Sequence, residues 1–173
     1  MTPALLLTLT VDPALAWMQA FGIRSDDRAR VMLLAIAGQE SGFKHRRQVP
    51  VPHAMGLWQF ERGGGVTGVL RHAASRTAAL AACEALLVPA TPEAVHPALE
   101  HNDDLACVFA RLLLFTDAKA LPGVDQPDEG WNYYQRNWRP GRPHANTWGG
   151  HWRNAVEAVS AEEDQGRVSS VSA

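Results

Sequence analysis

The chain has 173 residues, 46% of them hydrophobic, with a formal net charge of −2 at pH 7. That length and apolar content fit one domain with a sizeable core rather than two, and the near-neutral balance excludes the strongly basic surface of a nucleic-acid-binding domain. The charge is uneven, since residues 1–80 carry nine Lys and Arg against five Asp and Glu while residues 81–173 carry seven against thirteen; the first half suits an anionic polymer through long-range attraction, an ordinary mixed surface being the alternative.

The leading MTPALLLTLT has only a brief apolar run with no Lys or Arg before it, a poor fit to a secretory signal. No stretch reads as long enough to cross a membrane. Asp12-Pro13 places a capping acid before a proline, and Leu15 to Phe21 reads as a short amphipathic helix ended by Gly22. Ser25, Asp26 and Asp27 cap a second helix, Arg28 to Glu40, the acids suiting its positive end. Ala29, Met32, Leu33, Ile36 and Ala37 recur there with helical spacing and Glu40 continues the stripe, so the acid points inward. A carboxyl group at the rim of an apolar face is poorly solvated, which raises its pKa from about 4.3 towards roughly 6, the range of a general acid. Ser41-Gly42 then stops the helix, because glycine accepts the left-handed conformation that closes a helix C-terminus.

From Phe43 to Gly68 the helical period disappears, replaced by prolines 50 and 52 and, counted from Gly42, six glycines. This reads as a small hairpin or irregular lobe over the acid. Helices are expected over Val66 to Arg71, over Ser75 to Leu87 and after Thr91-Pro92. Asn102 caps a strongly amphipathic segment in which Leu105, Phe109, Leu112 and Leu113 share a face, the expected core helix. Asp128 to Trp138 follows, stopped by Arg139-Pro140-Gly141, and Thr147 caps a last helix through Val159. The tail from Ala161 lacks anything to bury and reads as flexible. Cys83 and Cys107 lie in apolar helical runs, which makes two reduced core cysteines the default and a disulfide the alternative outside the cytoplasm. The seven histidines show neither HExxH nor paired-cysteine spacing, so no metal site is expected.

Glu40-Ser41-Gly42-Phe43 followed by Gly56-Leu57-Trp58-Gln59 resembles the first two motifs of lytic transglycosylases and goose-type lysozymes, in which Glu-Ser closes a helix and Gly-Leu-x-Gln follows. The string GLWQFERGGGV, with WNYYQRNWRPGRP late in the chain, resembles phage-encoded muralytic proteins of the same superfamily. The resemblance spans about Ala29 to Trp152. It implies a mainly α, lysozyme-like single domain with a small β-hairpin or irregular lobe, over residues 1–160, followed by a flexible tail over 161–173. It also implies a peptidoglycan-degrading enzyme that needs no cofactor and cleaves the β-1,4 bond between N-acetylmuramic acid and N-acetylglucosamine. The expected partners are bacterial peptidoglycan and phage tail or other virion proteins, with no nucleic acid and no membrane insertion. The place of action is the periplasm or cell wall, reached in a virion or through a delivering partner because the signal is poor.

By the same resemblance Glu40 is the catalytic acid, and a tyrosine from a late helix hydrogen-bonds it. Here the usual Ala-Tyr-Asn is replaced by Trp131-Asn132-Tyr133-Tyr134. Tyr134 shares a helical face with Trp131 and Trp138 and is the better candidate, with Tyr133 as the alternative and an aromatic core stripe as the bland reading. Ser41, Gln59, Trp58 and Tyr133 are assigned to substrate, Trp58 as a stacking face for a sugar or else a core residue. Arg46, in Lys44-His45-Arg46-Arg47, and His53 near the second motif complete the candidates, the cations suiting peptide-stem carboxylates. Glu61 decides the chemistry. Glycoside hydrolysis ordinarily needs two carboxylates, whereas lytic transglycosylases use one. If Glu61 activates water the chain is a muramidase; if it only fixes the Gly63-Gly64-Gly65 turn or pairs with an arginine, Glu40 acts alone as acid and then base. An inactive wall-binding or structural virion protein is the reading from another class.

Overall fold

The computed structural model of the chain describes residues 1–48, 53–141 and 143–171, with side chains through Glu162 in the last helix. It is mainly α, with a small antiparallel β-hairpin. Prolines 50 and 52 lie outside the described residues.

The first helix, α1 (Pro3–Phe21), begins earlier than the sequence suggests and runs through Pro13. Proline has no N–H and its ring collides with the carbonyl four residues back. The chain absorbs this with a π-turn over Leu7–Val11, in which the Asp12 N–H reaches Leu7 O. Asp12 is thereby freed from capping, and its carboxylate accepts a 2.7 Å hydrogen bond from Arg30 Nε on the next helix. Contrary to the sequence reading, α1 is long and apolar enough by length and composition to cross a membrane, with a mean hydropathy of 1.3. Its Leu6, Leu7, Val11, Leu15 and Met18 are buried in the molecule, whereas Leu5 and Leu9 are exposed.

The second helix, α2 (Asp27–Ser41), is capped by Asp26, whose carboxylate accepts from Arg28 N. Ser25 is not part of the cap, because its hydroxyl accepts from Arg111 Nε at 3.0 Å. Where the sequence suggests one apolar stripe, every residue from Val31 to Ala37 is buried. The second face is covered by the final helix, whose Trp148, Trp152, Ala155 and Val159 lie buried at helical spacing. That helix, α8 (Ala145–Val171), makes the most extensive interhelical contact in the molecule, with α2. It continues well past Val159, so the expected flexible tail is helical through Val171.

Between them the lobe contains β1 (Ala54–Met55) and β2 (Phe60–Glu61), paired with Ala54 opposite Glu61 and Met55 opposite Phe60. Gly56 makes the turn. It has φ of +77°, and a Cβ there would meet Leu99 O at 2.7 Å, so no other residue fits. A π-turn over Arg62–Val66 takes in the three glycines and leads into α3 (Thr67–Arg71). There follow α4 (Arg76–Ala85), α5 (Pro92–Ala98), capped by Thr91, and α6 (Asp103–Phe115), capped by Asn102. Leu105, Phe109 and Leu112 of α6 are fully buried, as are the free thiols Cys83 and Cys107. Finally α7 (Pro127–Trp138) packs on α8 at Gly130, where a Cβ would lie 2.2 Å from the Trp152 ring.

Candidate active site

Four stretches of sequence meet around one cleft of about 950 Å³: the end of α2, the hairpin, α6 and the end of α7 with the segment after it. Glu40 enters from α2. Its helix is closed by Gly42, left-handed at φ +57°, whose N–H bonds Gly38 O, so the acid sits in the last turn before the chain departs. The Ser41 hydroxyl turns inward and bonds Ala37 O at 2.8 Å. Ser41 is buried and corrects the expectation of a substrate contact: it holds the helix end, as serines in a helical turn do by bonding the carbonyl four residues back.

Tyr134 of α7 donates from its hydroxyl to Glu40 Oε1 at 2.5 Å. Tyr133 does not face the acid. It is buried and donates to Leu114 O at 2.9 Å, so its assignment to substrate is corrected; one residue along a helix turns the side chain by about 100°, away from the cleft. The Tyr134 ring is held by stacking on Trp148 at 5.2 Å between centroids and on Trp138 at 6.5 Å. Trp131, at 5.3 Å, completes the cluster. The shared face seen in the sequence is thus both an aromatic core stripe and the support of a cleft residue.

Burial pushes the Glu40 carboxyl up to about 7, against the hydrogen bond from Tyr134, which favours the charged form, and with help from the nearby charge of Glu61. A carboxyl balanced there holds a proton at neutral pH and can also release it. Burial likewise raises the Tyr134 hydroxyl, aided by the charge on Glu40, so it remains a proton donor to the acid throughout the physiological range.

Glu61 lies on β2 and lines the same cleft. Among the described residues its carboxylate has no ion pair and no hydrogen bond. Neither of the bland roles considered for it, a turn clamp or an arginine partner, is present among them. Gln59 also lines the cleft. It adopts a left-handed φ of +48°, and its amide donates to Gly56 O at 2.8 Å and to His45 O at 3.1 Å, while its carbonyl oxygen has no partner among the described residues. His53 lies outside this cleft in an adjoining cavity of about 710 Å³ that shares Gln48 and Glu61 with it.

Two further expectations are corrected. Trp58 has no exposed surface, so it offers no face to a sugar. Its Nε1 donates to Leu33 O on α2, while its own carbonyl accepts from Trp138 Nε1 on α7, both at 2.9 Å. The residue ties together the three elements that carry Glu40, Glu61 and Tyr134. Arg46 is paired with Asp103 through both of its terminal nitrogens, which anchors the lobe to α6 and leaves it out of the cleft.

The structure adds residues that the motifs do not mark. Leu113, Thr116, Arg136, Asn137, Arg139 and His144 all line the cleft. Gln39, beside the acid, accepts from Thr147 Oγ1 at 3.0 Å and donates to His144 O at 3.1 Å, fastening the start of α8 to the end of α2. Only the cluster of arginines in RNWRPGR hinted at a polar rim, and nothing in the local sequence tied Gln39 to a partner 105 residues away. Among the described residues no group of His, Cys, Asp and Glu is arranged to hold a metal ion. Compared with protein-family models, curated proteins and solved structures, the chain matches none.

Proposed function

We propose that this protein cleaves peptidoglycan strands at the β-1,4 bond between N-acetylmuramic acid and N-acetylglucosamine, with Glu40 as the acid. One observation carries the reading: a carboxyl group held near pH 7 by burial, bonded at 2.5 Å by Tyr134, opens into a cleft large enough for a saccharide. The motif resemblance of Glu40-Ser41 and Gly56-Leu57-Trp58-Gln59 supplies the substrate class.

In the transglycosylase form of the reaction Glu40 donates its proton to the glycosidic oxygen as the C1–O bond breaks. The substrate's acetamido oxygen bonds C1 and carries the positive charge. The Glu40 carboxylate then takes the proton of the C6 hydroxyl, O6 displaces the acetamido oxygen at C1, and a 1,6-anhydro sugar results. Tyr134 serves both halves, since its hydrogen bond steadies the carboxylate formed in the first and consumed in the second.

A second reading, hydrolysis, is favoured by the position of Glu61. A carboxylate that lines the cleft with no partner among the described residues, close enough to raise the Glu40 pKa, is suited to activate water or stabilise C1 as the second carboxylate of a lysozyme. Mass spectrometry of muropeptides released from purified sacculi separates the two. Anhydro products that persist in Glu61→Gln support transglycosylation, whereas reducing-end products that vanish in that variant make the protein a muramidase. No release by the parent protein, with Glu40→Gln binding sacculi equally well, would leave a wall-binding module.

A further inference from the structure

Two of the cations expected to meet substrate carboxylates are engaged elsewhere, Arg46 with Asp103 and Arg47 with Glu100, yet the cleft carries two other arginines at the end of α7. Arg136 is held rigidly. Its Nε donates to Asp117 Oδ2 at 2.7 Å, and its guanidinium lies over the Tyr133 ring at 4.7 Å. Asp117 is fixed in turn by Asn137 Nδ2 at 2.9 Å and by the Lys119 N–H at 2.9 Å. These bonds outweigh burial and keep Asp117 ionised. With Nε engaged, both terminal nitrogens of Arg136 remain without a partner among the described residues, on a side chain that lines the cleft.

Arg139 follows one turn later. It closes α7 in a left-handed conformation, φ +49°, at the position where glycine is ordinarily found. Its Nε makes only a long 3.4 Å contact with Arg136 O, and among the described residues it has no carboxylate partner. A pre-oriented guanidinium whose terminal nitrogens have no partner among the described residues, beside a second with no carboxylate partner among them, matches the planar, two-oxygen geometry of a carboxylate. A neutral sugar offers single hydroxyls and would leave Arg139 without a counter-ion among the described residues, Arg136 being paired with Asp117.

Resting on the glycan-cleaving reading above, we infer that Arg136 and Arg139 form a carboxylate-reading subsite that selects acidic, muramyl-containing strands over neutral β-1,4-linked N-acetylglucosamine polymers. The carboxylate is either the lactyl group of a peptide-free muramyl residue or a group on an attached peptide stem. Pre-organisation by Asp117 and Tyr133 lowers the ordering cost of the contact, and the attraction weakens with salt as exposed charges are screened.

The test is calorimetric titration of the full chain carrying Glu40→Gln, which stops turnover, with three soluble tetrasaccharides: neutral chitotetraose, a peptide-free muramyl tetrasaccharide and its peptide-bearing form. At low salt an acidic ligand is expected to bind about tenfold more tightly than chitotetraose, on the scale of one charge-assisted contact. Arg139→Gln, at the exposed rim, should remove most of that advantage while changing chitotetraose affinity less than about twofold. Arg136→Lys, which keeps the charge near Asp117 but loses the planar fork, should do the same. An advantage for the peptide-free ligand alone identifies the lactyl carboxylate, which an attached stem converts to an amide; an advantage for the peptide-bearing one alone identifies the stem, and an advantage for both shows that either carboxylate is read. Equal affinity for all three ligands, or an equal loss for all three on Arg139→Gln, overturns the subsite alone. Failure to bind any of them removes the glycan reading and the subsite with it.

Discussion

Replacing Glu40 by glutamine should make the protein more stable as it makes it inactive, and the gain should depend on pH. The carboxyl is held at about 7 in the fold against an ordinary value of 4.5. Its folded pKa is raised, so between those two values the native state keeps a proton that the unfolded chain has released. Stability therefore falls as pH rises through that window and stays low above it. At about 1.36 kcal/mol per unit of pKa, ionised Glu40 costs the fold about 3 kcal/mol above neutrality and nothing below about pH 4. Glutamine keeps the shape and an oxygen to accept from Tyr134 but never ionises. Glu40→Gln should thus gain about 3 kcal/mol at about pH 8.5, or roughly 6 to 12 °C in Tm for a chain of this size, and match the parent at about pH 4. Urea melts at both pH values, with sacculus digestion alongside, make the measurement. Activity should fall by roughly 10² to 10⁴ or more, since one group serves as acid and as base. An identical stability difference at the two pH values would refute the argument, because it would mean that Glu40 is not a strained carboxyl.

Tyr134→Phe keeps the ring stack on Trp148 and Trp138 but removes the bond to Glu40; a charge-assisted bond of about 1.5 to 3 kcal/mol should raise the Glu40 pKa by a further one to two units or so. The alkaline limb of the pH-rate profile should move upward, with Tm little changed at about pH 4, where Glu40 is protonated with or without the bond, and lowered at alkaline pH; a stationary limb would disconnect the tyrosine from the acid. Trp58→Ala should cost about 3 to 5 kcal/mol in urea melts, as for a buried aromatic ring removed from a core; reduced glycan binding with unchanged stability would reinstate it as a sugar platform. Gly130→Ala places a methyl group 2.2 Å from the Trp152 ring, so the helix-propensity gain of about 1 kcal/mol should be exceeded by overpacking of about 1 to 3 kcal/mol or more, read as a lower Tm.

Much of the helical outline is legible because it is locally specified. Asp26, Thr91 and Asn102 cap helices whose backbone N–H groups they accept from, and glycines 22 and 42 end the helices they follow with positive φ. The departures come where distant contacts override local signals. Asp12-Pro13 looks like a helix start, yet Leu6 and Leu7 before it have a core to enter, and a π-turn lets one helix pass through the proline. The stripe on α2 looks one-sided because the sequence around Glu40 gives no sign that α8, more than a hundred residues later, covers the other face. The polar run after Ala161 looks unstructured because a helix continuing from a packed segment needs no apolar face of its own.

In the site, what the sequence reveals is the acid, and what it hides is the means of holding it. Glu40 is legible because a helix, its glycine stop and the desolvation of the last turn are all local. Tyr134 is legible only by its face, since nothing local distinguishes a tyrosine that reaches a carboxylate from a neighbour bonded to Leu114 O. Trp58 is misread for a physical reason: an indole beside a cleft glutamine suits a sugar platform and a buried bracket equally well. The bracket is what ties Leu33, seven residues before the acid, to Trp138, four residues after the tyrosine, through one side-chain N–H and one carbonyl. Those two bonds fix the separation of α2 and α7, and that separation sets the 2.5 Å contact between Tyr134 and Glu40. The tryptophan of the second motif therefore acts on Glu40 without lining the cleft, through the spacing of two helices.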